Sequence, residues 1–255
     1  MTRLLNAVWR RGRRAAALAL ALLPFGVVRA GVRLWLEGVG ARGEAPVATR
    51  RLLQVHQDAY DQVDLAAIRY DDGVHAKHRL TRYHDFFVAN VRPGDRVLDV
   101  GCGKGELAAD LADRSQAEVV GVDVNPHSLA FARKRFAGEG GLRFELMDVL
   151  EELPDEEFDV VVLSNVLEHF AERVSLLRRL VEAARPSRVL VRVPVLRRDW
   201  TVPLRQELGL RHFSDETHHI EYDPDTLRAE LAGAGLRLDS CELVWGELWA
   251  VASPS

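Results

Sequence analysis

Three acidic residues lie at or near the ends of successive apolar segments, and a glycine-rich turn follows the first segment. Asp99 lies in RVLDV, Asp123 closes GVDV and Asp148 lies in LMDV. An acid beside the turn suits a ligand that carries an ammonium group. An acid about 20 residues further on commonly accepts hydrogen bonds from a ribose diol. A third acid could receive an adenine amino group. The spacing therefore predicts a site for a cationic nucleoside.

The glycine turn itself argues against a dinucleotide. Gly101, Gly103 and Gly105 are spaced two positions apart, and glycine permits positive φ and close approach of a ligand to the main chain. In the dinucleotide fingerprint GxGxxG, a third glycine occupies the position that Glu106 holds in this chain. A carboxylate there would face a diphosphate with the wrong sign of charge. The alternative of an NAD-dependent oxidoreductase is thus disfavoured, although it stays open.

The elements that position these residues alternate between strands and helices. Strands are predicted in RVLDV, AEVVGVDV, LRFELMDV, FDVVVLSN and SRVLVRVP, with helices in GELAADLADR, NPHSLAFARKRF and ERVSLLRRLVEAA. Near-continuous Val/Leu strands are buried on both faces, so the sheet is parallel and the fold is α/β, doubly wound and Rossmann-like. After a helix in DPDTLRAELAGAG, two more strands meet around Gly246 and should form an antiparallel hairpin at the sheet edge.

Four segments, in order, resemble the successive motifs of the class I S-adenosylmethionine-dependent methyltransferases. They are VLDVGCGKGELA, GVDVNPHSLAFARKRF, MDVLEELPDEEFDVVVLSNVLEHF and HHIEYDPDTLRAELAGAGL. The resemblance runs from about Asp95 to the C-terminus and is to the subgroup with a VLEH-like sequence after the fourth strand. It implies a seven-stranded sheet with an antiparallel last strand, and S-adenosyl-L-methionine as cofactor.

The resemblance also implies a role for each matching residue. Asp99 and Gly101 would meet the amino-acid end of the cofactor, and Gly103 and Gly105 would leave it room. The other implied contacts are Asp123 and Val124 at the ribose, Asp148 and the Val149 amide at adenine, and Ser164 or Asn165 at the methionine end.

Methyl transfer to a hydroxyl needs a base, and three histidines are candidates. His169 follows the predicted fourth strand, while His218 and His219 lie in the segment 195–223, which fits neither a strand nor a simple helix. A histidine titrates near neutral pH and can accept the proton of the acceptor hydroxyl. For each histidine the alternative is a structural role in a loop or a helix start.

No metal is assigned from the sequence, but Glu168 and His169 could hold one. Some relatives carry an E-x-x-E-H sequence that binds a divalent ion. In this chain Asn165 stands where the first glutamate would be, and a lost carboxylate weakens such a site. A purely structural Glu168 is the alternative.

The chain is predicted to comprise three parts. Residues 1–45 form a basic and apolar N-terminal segment with a linker, residues 46–92 a helical lead-in, and residues 93–255 the methyltransferase domain with a substrate-side insertion at 195–223. The N-terminal apolar run is interrupted by Pro24. It is shorter than the roughly 20 apolar residues that a helix needs to span a bilayer. Peripheral membrane contact, a secretion signal and a helix packed on the folded domain remain alternatives.

The net charge and the cysteine count limit the kinds of partner and the cellular compartment that we expect. The formal charge of −4 gives no electrostatic footprint for nucleic acid, and two cysteines cannot build a disulfide framework. A secreted enzyme would lack its cofactor, so a cytoplasmic location is expected, with or without contact at the membrane surface. Arginines beside Trp200 in the insertion suit an anionic, ring-bearing acceptor. We therefore expect methyl transfer to a small molecule or glycan precursor, with a non-catalytic cofactor-binding protein as a further alternative.

Overall fold

The structure is a computed structural model that describes residues 16–255. The chain divides into two compact units, Met1–Leu65 with Leu208–Leu210, and Ala66–Glu207 with Arg211–Ser255. The predicted boundary between residues 92 and 93 falls inside the second unit. The first fifteen residues of the predicted N-terminal segment lie outside the described part of the chain.

The described part of the first unit up to residue 65 is mainly helical. Residues 16–21 are helical, helix α1 (Phe25–Ala41) begins directly after Pro24, and α2 (Ala45–Tyr70) begins in this unit and ends in the second. The linker predicted within residues 1–45 is short: residues 37–41 of the glycine-rich sequence EGVGARGEAP lie in α1, and only residues 42–44 lie between the two helices. The glycines inside α1 lower helix propensity without breaking the helix. No helix within residues 16–255 is long and apolar enough to cross a membrane.

The second unit contains a seven-stranded sheet in the order β3-β2-β1-β4-β5-β7-β6. The strands are β1 (Arg96–Val100), β2 (Glu118–Asp123), β3 (Leu142–Leu146), β4 (Val160–Ser164), β5 (Arg188–Pro194), β6 (Leu236–Val244) and β7 (Glu247–Pro254). The first five strands pair in parallel, and β7 is antiparallel to both β5 and β6. The predicted α/β fold with an antiparallel last strand is confirmed, including the hairpin around Gly246.

Helices cover both faces of this sheet. They are α5 (Glu106–Ser115), α6 (Pro126–Arg135), α7 (Arg173–Ala184) and α9 (Pro224–Gly233), with a short 3-10 turn at Leu167–His169. Alternate strand residues point to opposite faces: Val97 belongs to the core under α5 and α6, and Leu98 to the core under α7 and α9. The central strands β1, β2, β4 and β5 are therefore buried on both sides, and their ends are left to build a site.

The predicted helical lead-in at residues 46–92 contains a break between two short helices. KHRLTRYHDFFVANV forms α3 (Lys77–Thr81) and α4 (Tyr83–Ala89), separated by Arg82 in the left-handed conformation with φ of 54°. A left-handed residue ends a helix by turning the chain away from its axis. The break lets α4 bury Tyr83 and Phe87 in the second unit.

The insertion is partly ordered by secondary structure. It contains α8 (Thr201–Glu207), and its ends are joined by a bridge between Val195 and Tyr222. Tyr222 is fully buried, and its hydroxyl donates to Glu230 in α9 at 2.9 Å. The C-terminal part of the insertion is thus held against the domain rather than extending freely.

The turn after β1 passes so close to its neighbours that two of its glycines are required for packing. Gly101 has φ of +69°, and a Cβ there would lie 2.7 Å from Val166 Cγ2. Gly105 has φ of +81°, and a Cβ there would lie 2.5 Å from the Phe144 ring. Gly103 also has positive φ, at +56°, but a Cβ there would meet nothing within 4 Å. Gly103 is therefore the glycine with open space beside it.

We expect Gly105→Ala to lower the free energy of unfolding by about 2–4 kcal/mol, because it adds left-handed strain to a clash with Phe144. Gly103→Ala is the matched control, since it carries the strain without the clash and should cost about 1–2 kcal/mol. Urea unfolding measures both. Equal losses in the two variants would show that packing against Phe144 is not the constraint.

Candidate functional site

The site lies at the carboxyl ends of β1, β2 and β4, which are neighbours in the sheet. Parallel strands bring their carboxyl ends to one edge, and ligands of such sheets bind in the crevice there. The main-chain N–H groups of Gly101 and Cys102 both donate to the carbonyl of Val122, at 2.8 Å and 3.0 Å. The glycine turn is thereby fixed against the end of β2.

Asp123 is the best-anchored acid of this edge. Its Oδ2 accepts from the Gly103 N–H at 2.9 Å, and its Oδ1 accepts from the Asn125 N–H at 2.7 Å. Each carboxylate oxygen has a second lone pair, and the side chain is partly exposed. The carboxylate is therefore held in one orientation with acceptor capacity to spare, as the predicted ribose contact requires. Val124, which follows it, is 61 % exposed.

Asp99 is a buried acid without a full set of partners. It is 2 % exposed, and its Oδ2 is a buried oxygen that has no hydrogen-bond partner. Burial, and to a lesser degree the neighbouring charge of Asp123, raises the pKa of Asp99 to about 8. An unpaired buried acid costs free energy, and a cationic group on a ligand would supply the missing partner.

The contacts of the remaining predicted cofactor residues do not test their predicted roles. Asp148 is exposed, and its Oδ1 accepts from the Leu150 N–H at 3.0 Å, while Val149 is buried. Ser164 ends β4, and its hydroxyl accepts from Arg192 Nη1 at 3.2 Å. That hydroxyl keeps its own proton for donation. The adenine and methionine-end assignments stay predictions.

Arg192 is a central residue that the sequence analysis missed. It is 2 % exposed, and its guanidinium donates to both carboxylate oxygens of Glu247 at 2.6 Å and 2.6 Å. Its Cζ lies 3.7 Å from the centre of the Tyr83 ring. Arg192 thus connects β4, β7 and α4 beside the cofactor edge. An arginine inside the apolar strand SRVLVRVP was the available signal, because a charge in a buried strand needs a partner.

A second group of polar residues gathers just past the end of β4. Asn165 adopts φ of 55°, and its Nδ2 donates to Glu168 Oε1 at 2.9 Å. Glu168 is fully buried, and burial raises its pKa to about 7. Glu168 Oε2 and Asn165 Oδ1 are buried oxygens that accept no hydrogen bond. Two unsatisfied acceptors therefore lie close together.

Two of the three predicted histidines join this group. The rings of His169 and His218 stack edge to face with centroids 4.7 Å apart. His169 Nδ1 contacts Thr217 Oγ1 at 2.8 Å, and this hydroxyl donates to Asp215 Oδ1 at 2.6 Å. His169 Nδ1 must then donate its proton, so Nε2 is the nitrogen that can accept one. Burial, followed by the neighbouring His218, lowers the pKa of His169.

His218 is oriented by a buried carboxylate that sequence reasoning also missed. Its Nδ1 lies 3.2 Å from Glu221 Oε1, and the Glu221 side chain is fully buried. Burial alone would raise the pKa of Glu221, but hydrogen bonds from His218 and Ser214 and the charge of Arg198 lower it. An ionised Glu221 accepts the Nδ1 proton and leaves Nε2 of His218 as a base or ligand. Glu221 follows His218 by three residues in the sequence HHIEY, and this spacing could have indicated the contact.

His219 differs from the other two histidines. Its side chain is exposed, and its main-chain N–H donates to the Glu168 carbonyl at 2.7 Å. Arg198, one of the arginines predicted to suit an anionic acceptor, pairs with Glu221 and also donates to the His212 carbonyl at 3.1 Å. Trp200 is 75 % exposed.

Within residues 16–255, one cluster has the composition and proximity of a metal site. The candidate ligand atoms of Glu168, His169 and His218 all lie within 4.8 Å of one another. Carboxylate and imidazole ligands together suit divalent ions such as Mn²⁺ or Zn²⁺. His218 supplies the distant ligand that the sequence analysis left out of its metal assignment.

Known proteins with similar sequences are methyltransferases. The Methyltransferase domain family matches residues 98–189. A ubiquinone biosynthesis O-methyltransferase of Azorhizobium caulinodans is 34% identical over 169 residues, which are 62% of this chain and 66% of that protein. Phosphoethanolamine N-methyltransferase 3 of Arabidopsis thaliana is 32% identical over 100 residues, 38% of this chain. The chain spans just under two thirds of the first relative and 20% of the second.

A solved structure shares the fold over most of the chain. It is the magnesium protoporphyrin IX methyltransferase of Synechocystis PCC 6803 with bound SAH, at 19% identity and a TM-score of 0.53, covering 89% of this chain and 95% of that chain. Residues 98–189 therefore carry a methyltransferase domain of the S-adenosylmethionine-dependent type, with S-adenosyl-L-methionine as its cofactor.

Proposed function

We propose that the protein transfers the methyl group of S-adenosylmethionine to a hydroxyl oxygen of a small molecule or glycan precursor, on the cytoplasmic side. The observation that carries the proposal is the pair His169 and His218, each with Nδ1 engaged and Nε2 placed to take a proton. Methyl transfer from a sulfonium is an in-line displacement that depends on positioning. A hydroxyl acceptor must also lose a proton, and an oriented neutral imidazole is suited to accept it.

The cofactor edge fits a phosphate-free cation. Asp99 has an unpartnered buried oxygen that an ammonium group would satisfy, and Asp123 presents a fixed carboxylate to a diol. Glu106, in the position of the third dinucleotide glycine, pairs with Arg135 at 3.2 Å and begins α5. No arginine or lysine is offered to a diphosphate by these contacts. They support the sulfonium cofactor over NAD.

A metal-assisted form of the same reaction has its own supporting observation. Glu168, His169 and His218 converge, and Glu168 Oε2 and Asn165 Oδ1 are unsatisfied. These residues fit a divalent ion, which would lower the pKa of an acceptor hydroxyl when bound. In that case the histidines act as ligands and the proton leaves to solvent or to another base. The oxygen acceptor is common to both forms, and the ubiquinone O-methyltransferase relative is consistent with it.

The acceptor is tested by incubating the protein with methyl-labelled S-adenosylmethionine and fractionated small-molecule and glycan extracts, followed by mass spectrometry of labelled products. We expect the labelled methyl group to be found on an ether oxygen of the product. Label only on nitrogen or carbon would overturn the oxygen assignment, while leaving the assignment of the methyltransferase domain intact.

Cofactor binding should release a proton through Asp99. With a pKa of about 8, the free protein holds this carboxyl protonated at pH 6.5, whereas its ordinary value of 3.8 would leave it ionised. A bound ammonium favours the ionised form, so binding of S-adenosylhomocysteine at pH 6.5 should release up to one proton. Calorimetry in phosphate and in imidazole buffers measures the release as a difference in apparent enthalpy.

Asp99→Asn is the control for that measurement. It should abolish the buffer dependence and weaken S-adenosylhomocysteine by about 1.5–3 kcal/mol, through loss of a charged hydrogen bond. Removing a buried acid should not lower the stability of the free protein at pH 8, where ionisation of Asp99 is unfavourable. Wild-type binding with the same enthalpy in both buffers would refute the ammonium assignment.

Substitution of His169 or His218 should lower turnover and leave the affinity for the cofactor nearly unchanged. His169→Ala and His218→Ala are each expected to lower kcat by roughly 10²-fold or more, with the Kd for S-adenosylhomocysteine changed less than about twofold. Glu221→Gln should weaken the orientation of His218 and give a smaller loss. His219→Ala, whose side chain is exposed, should cost least. Parallel losses of kcat and cofactor affinity would assign both histidines a structural role.

Mn²⁺ binding distinguishes a ligand role from a base role without any acceptor. Electron paramagnetic resonance of the metal-free protein titrated with Mn²⁺ should show one saturable site, and His169→Ala and His218→Ala should each remove it. His219→Ala serves as the control that keeps it. Absence of saturable binding in the wild type would remove the metal-assisted form and leave the histidine base.

A further inference from the structure

A continuous apolar surface covers the helices of the N-terminal segment. Nine large apolar side chains between residues 18 and 35 are exposed, from 47% to 86%, and α1 has no buried residue at all. They are Leu18, Leu20, Leu22, Leu23, Phe25, Val27, Val32, Leu34 and Trp35. An exposed apolar patch of this extent in a soluble protein marks an interaction site.

The charged residues of α1 form a single narrow stripe. Arg29, Arg33 and Glu37 are four residues apart, so they lie along one side of the helix, and Arg33 Nε pairs with Glu37 Oε1 at 2.9 Å. Every other residue of α1 is apolar or glycine. A helix that is apolar around most of its circumference needs an apolar environment. Only the side of α1 that carries Arg29, Arg33 and Glu37 presents charged groups that need contact with water or lipid headgroups.

The sign of the charges indicates what supplies that environment. The first 36 residues contain seven arginines and no acidic residue, and Glu37 is the first acid of the chain. Removing these seven from the 34 basic residues leaves 27 against 38 acidic residues, a formal charge of −11 for the remainder. The positive charge is therefore concentrated in the apolar segment. An anionic surface would attract this segment and repel the rest of the chain.

Length decides between crossing a membrane and lying on it. The 17 residues of α1 span about 25 Å at 1.5 Å per residue, short of the roughly 30 Å hydrocarbon core. Pro24 separates α1 from the helical residues 16–21, and no helix in residues 16–255 meets the requirements of a span. Apolar residues beside arginines at headgroup depth are typical of helices that lie in the interface, where long side chains reach the polar layer.

We propose that residues 16–41 bind the surface of an anionic lipid bilayer, with the apolar side chains of both helical stretches buried at the acyl boundary and Arg29 and Arg33 at the headgroups. This binding goes beyond methyl transfer and holds whatever the acceptor is. It concentrates the enzyme at a membrane surface without a spanning helix.

The test is flotation of the full chain with vesicles of phosphatidylcholine alone and with about 30% phosphatidylglycerol. Binding is expected with the anionic vesicles, weaker binding with the zwitterionic ones, and loss as the salt concentration rises. Arg29→Glu with Arg33→Glu should lower partition to anionic vesicles by roughly tenfold or more. Leu22→Ser with Leu34→Ser should lower it to both vesicle types, because less apolar area enters the bilayer.

Control variants with the same types of substitution outside residues 16–41 test whether the loss of vesicle binding depends on where the substitutions lie. Arg228→Glu with Arg237→Glu makes the same change of net charge at exposed residues of α9 and β6, and Leu80→Ser with Leu243→Ser removes two leucines of comparable exposure. Both should float like the wild type. Affinity for S-adenosylhomocysteine, measured on every variant, should be unchanged, so failure of the membrane proposal and failure of the methyltransferase proposal are distinguishable.

Three results would overturn the proposal. One is absence of the full chain from the anionic vesicle fraction, and another is equal loss in the control variants. The third is a dimer in analytical ultracentrifugation that the α1 variants dissociate while vesicle binding is absent, because the surface would then be covered by a second copy.

Discussion

The close passage of the turn after β1 between Val166 and Phe144 is the constraint on which the site depends. A side chain at either Gly101 or Gly105 would overlap a neighbour that belongs to the core of the sheet. The chain can therefore make this turn only with bare main chain at both positions. The turn is thereby held against the end of β2, where Gly101 and Cys102 donate to the Val122 carbonyl and the Gly103 N–H donates to Asp123.

That packing gives the glycines different roles. Two of them let the turn approach the core, and only Gly103 has open space in which a ligand could approach the main chain. The same packing explains the electrostatics, since Asp99 is cut off from water and lies close enough to Asp123 to feel its charge. Two acids sharing one edge disfavour an anionic ligand and favour a cation. A sulfonium nucleoside that carries an ammonium group matches this field, whereas a diphosphate does not.

The proposed acceptor side depends on a separate network of residues, which starts from the insertion at 195–223. Glu221 is buried by the return of the insertion to the domain, and it orients His218 toward His169 and Glu168. Because Glu221 also binds Arg198 and Ser214, the histidine pair is held by the fold of the insertion itself. The cofactor edge and the histidine cluster that we propose for the acceptor are therefore built by different parts of the chain.

Much of the fold follows from local pattern. The Val/Leu strands, the alternating helices and the tight link at Gly246 predict the sheet and its antiparallel edge, because strands that are buried on both faces are mostly apolar. Arg82 in a left-handed conformation, the buried pair of Arg192 and Glu247, and the contact of Glu221 with His218 were missed. The Arg82 break has no local signal, since left-handed residues are usually glycine or asparagine. The Arg192 pair joins residues 55 positions apart, which no sequence spacing reveals. The linker is shorter than predicted because a glycine-containing stretch that reads as a linker is helical at the end of α1.

The central claim is that this edge binds a phosphate-free cationic nucleoside, and calorimetric titration of the full chain with S-adenosylhomocysteine and with NAD tests it directly. We expect saturable one-to-one binding of S-adenosylhomocysteine and no binding of NAD at the same concentrations. Asp123→Ala should weaken the binding of S-adenosylhomocysteine by about 1–3 kcal/mol through loss of charged hydrogen bonds to the ribose. Binding of NAD without binding of S-adenosylhomocysteine would contradict the claim.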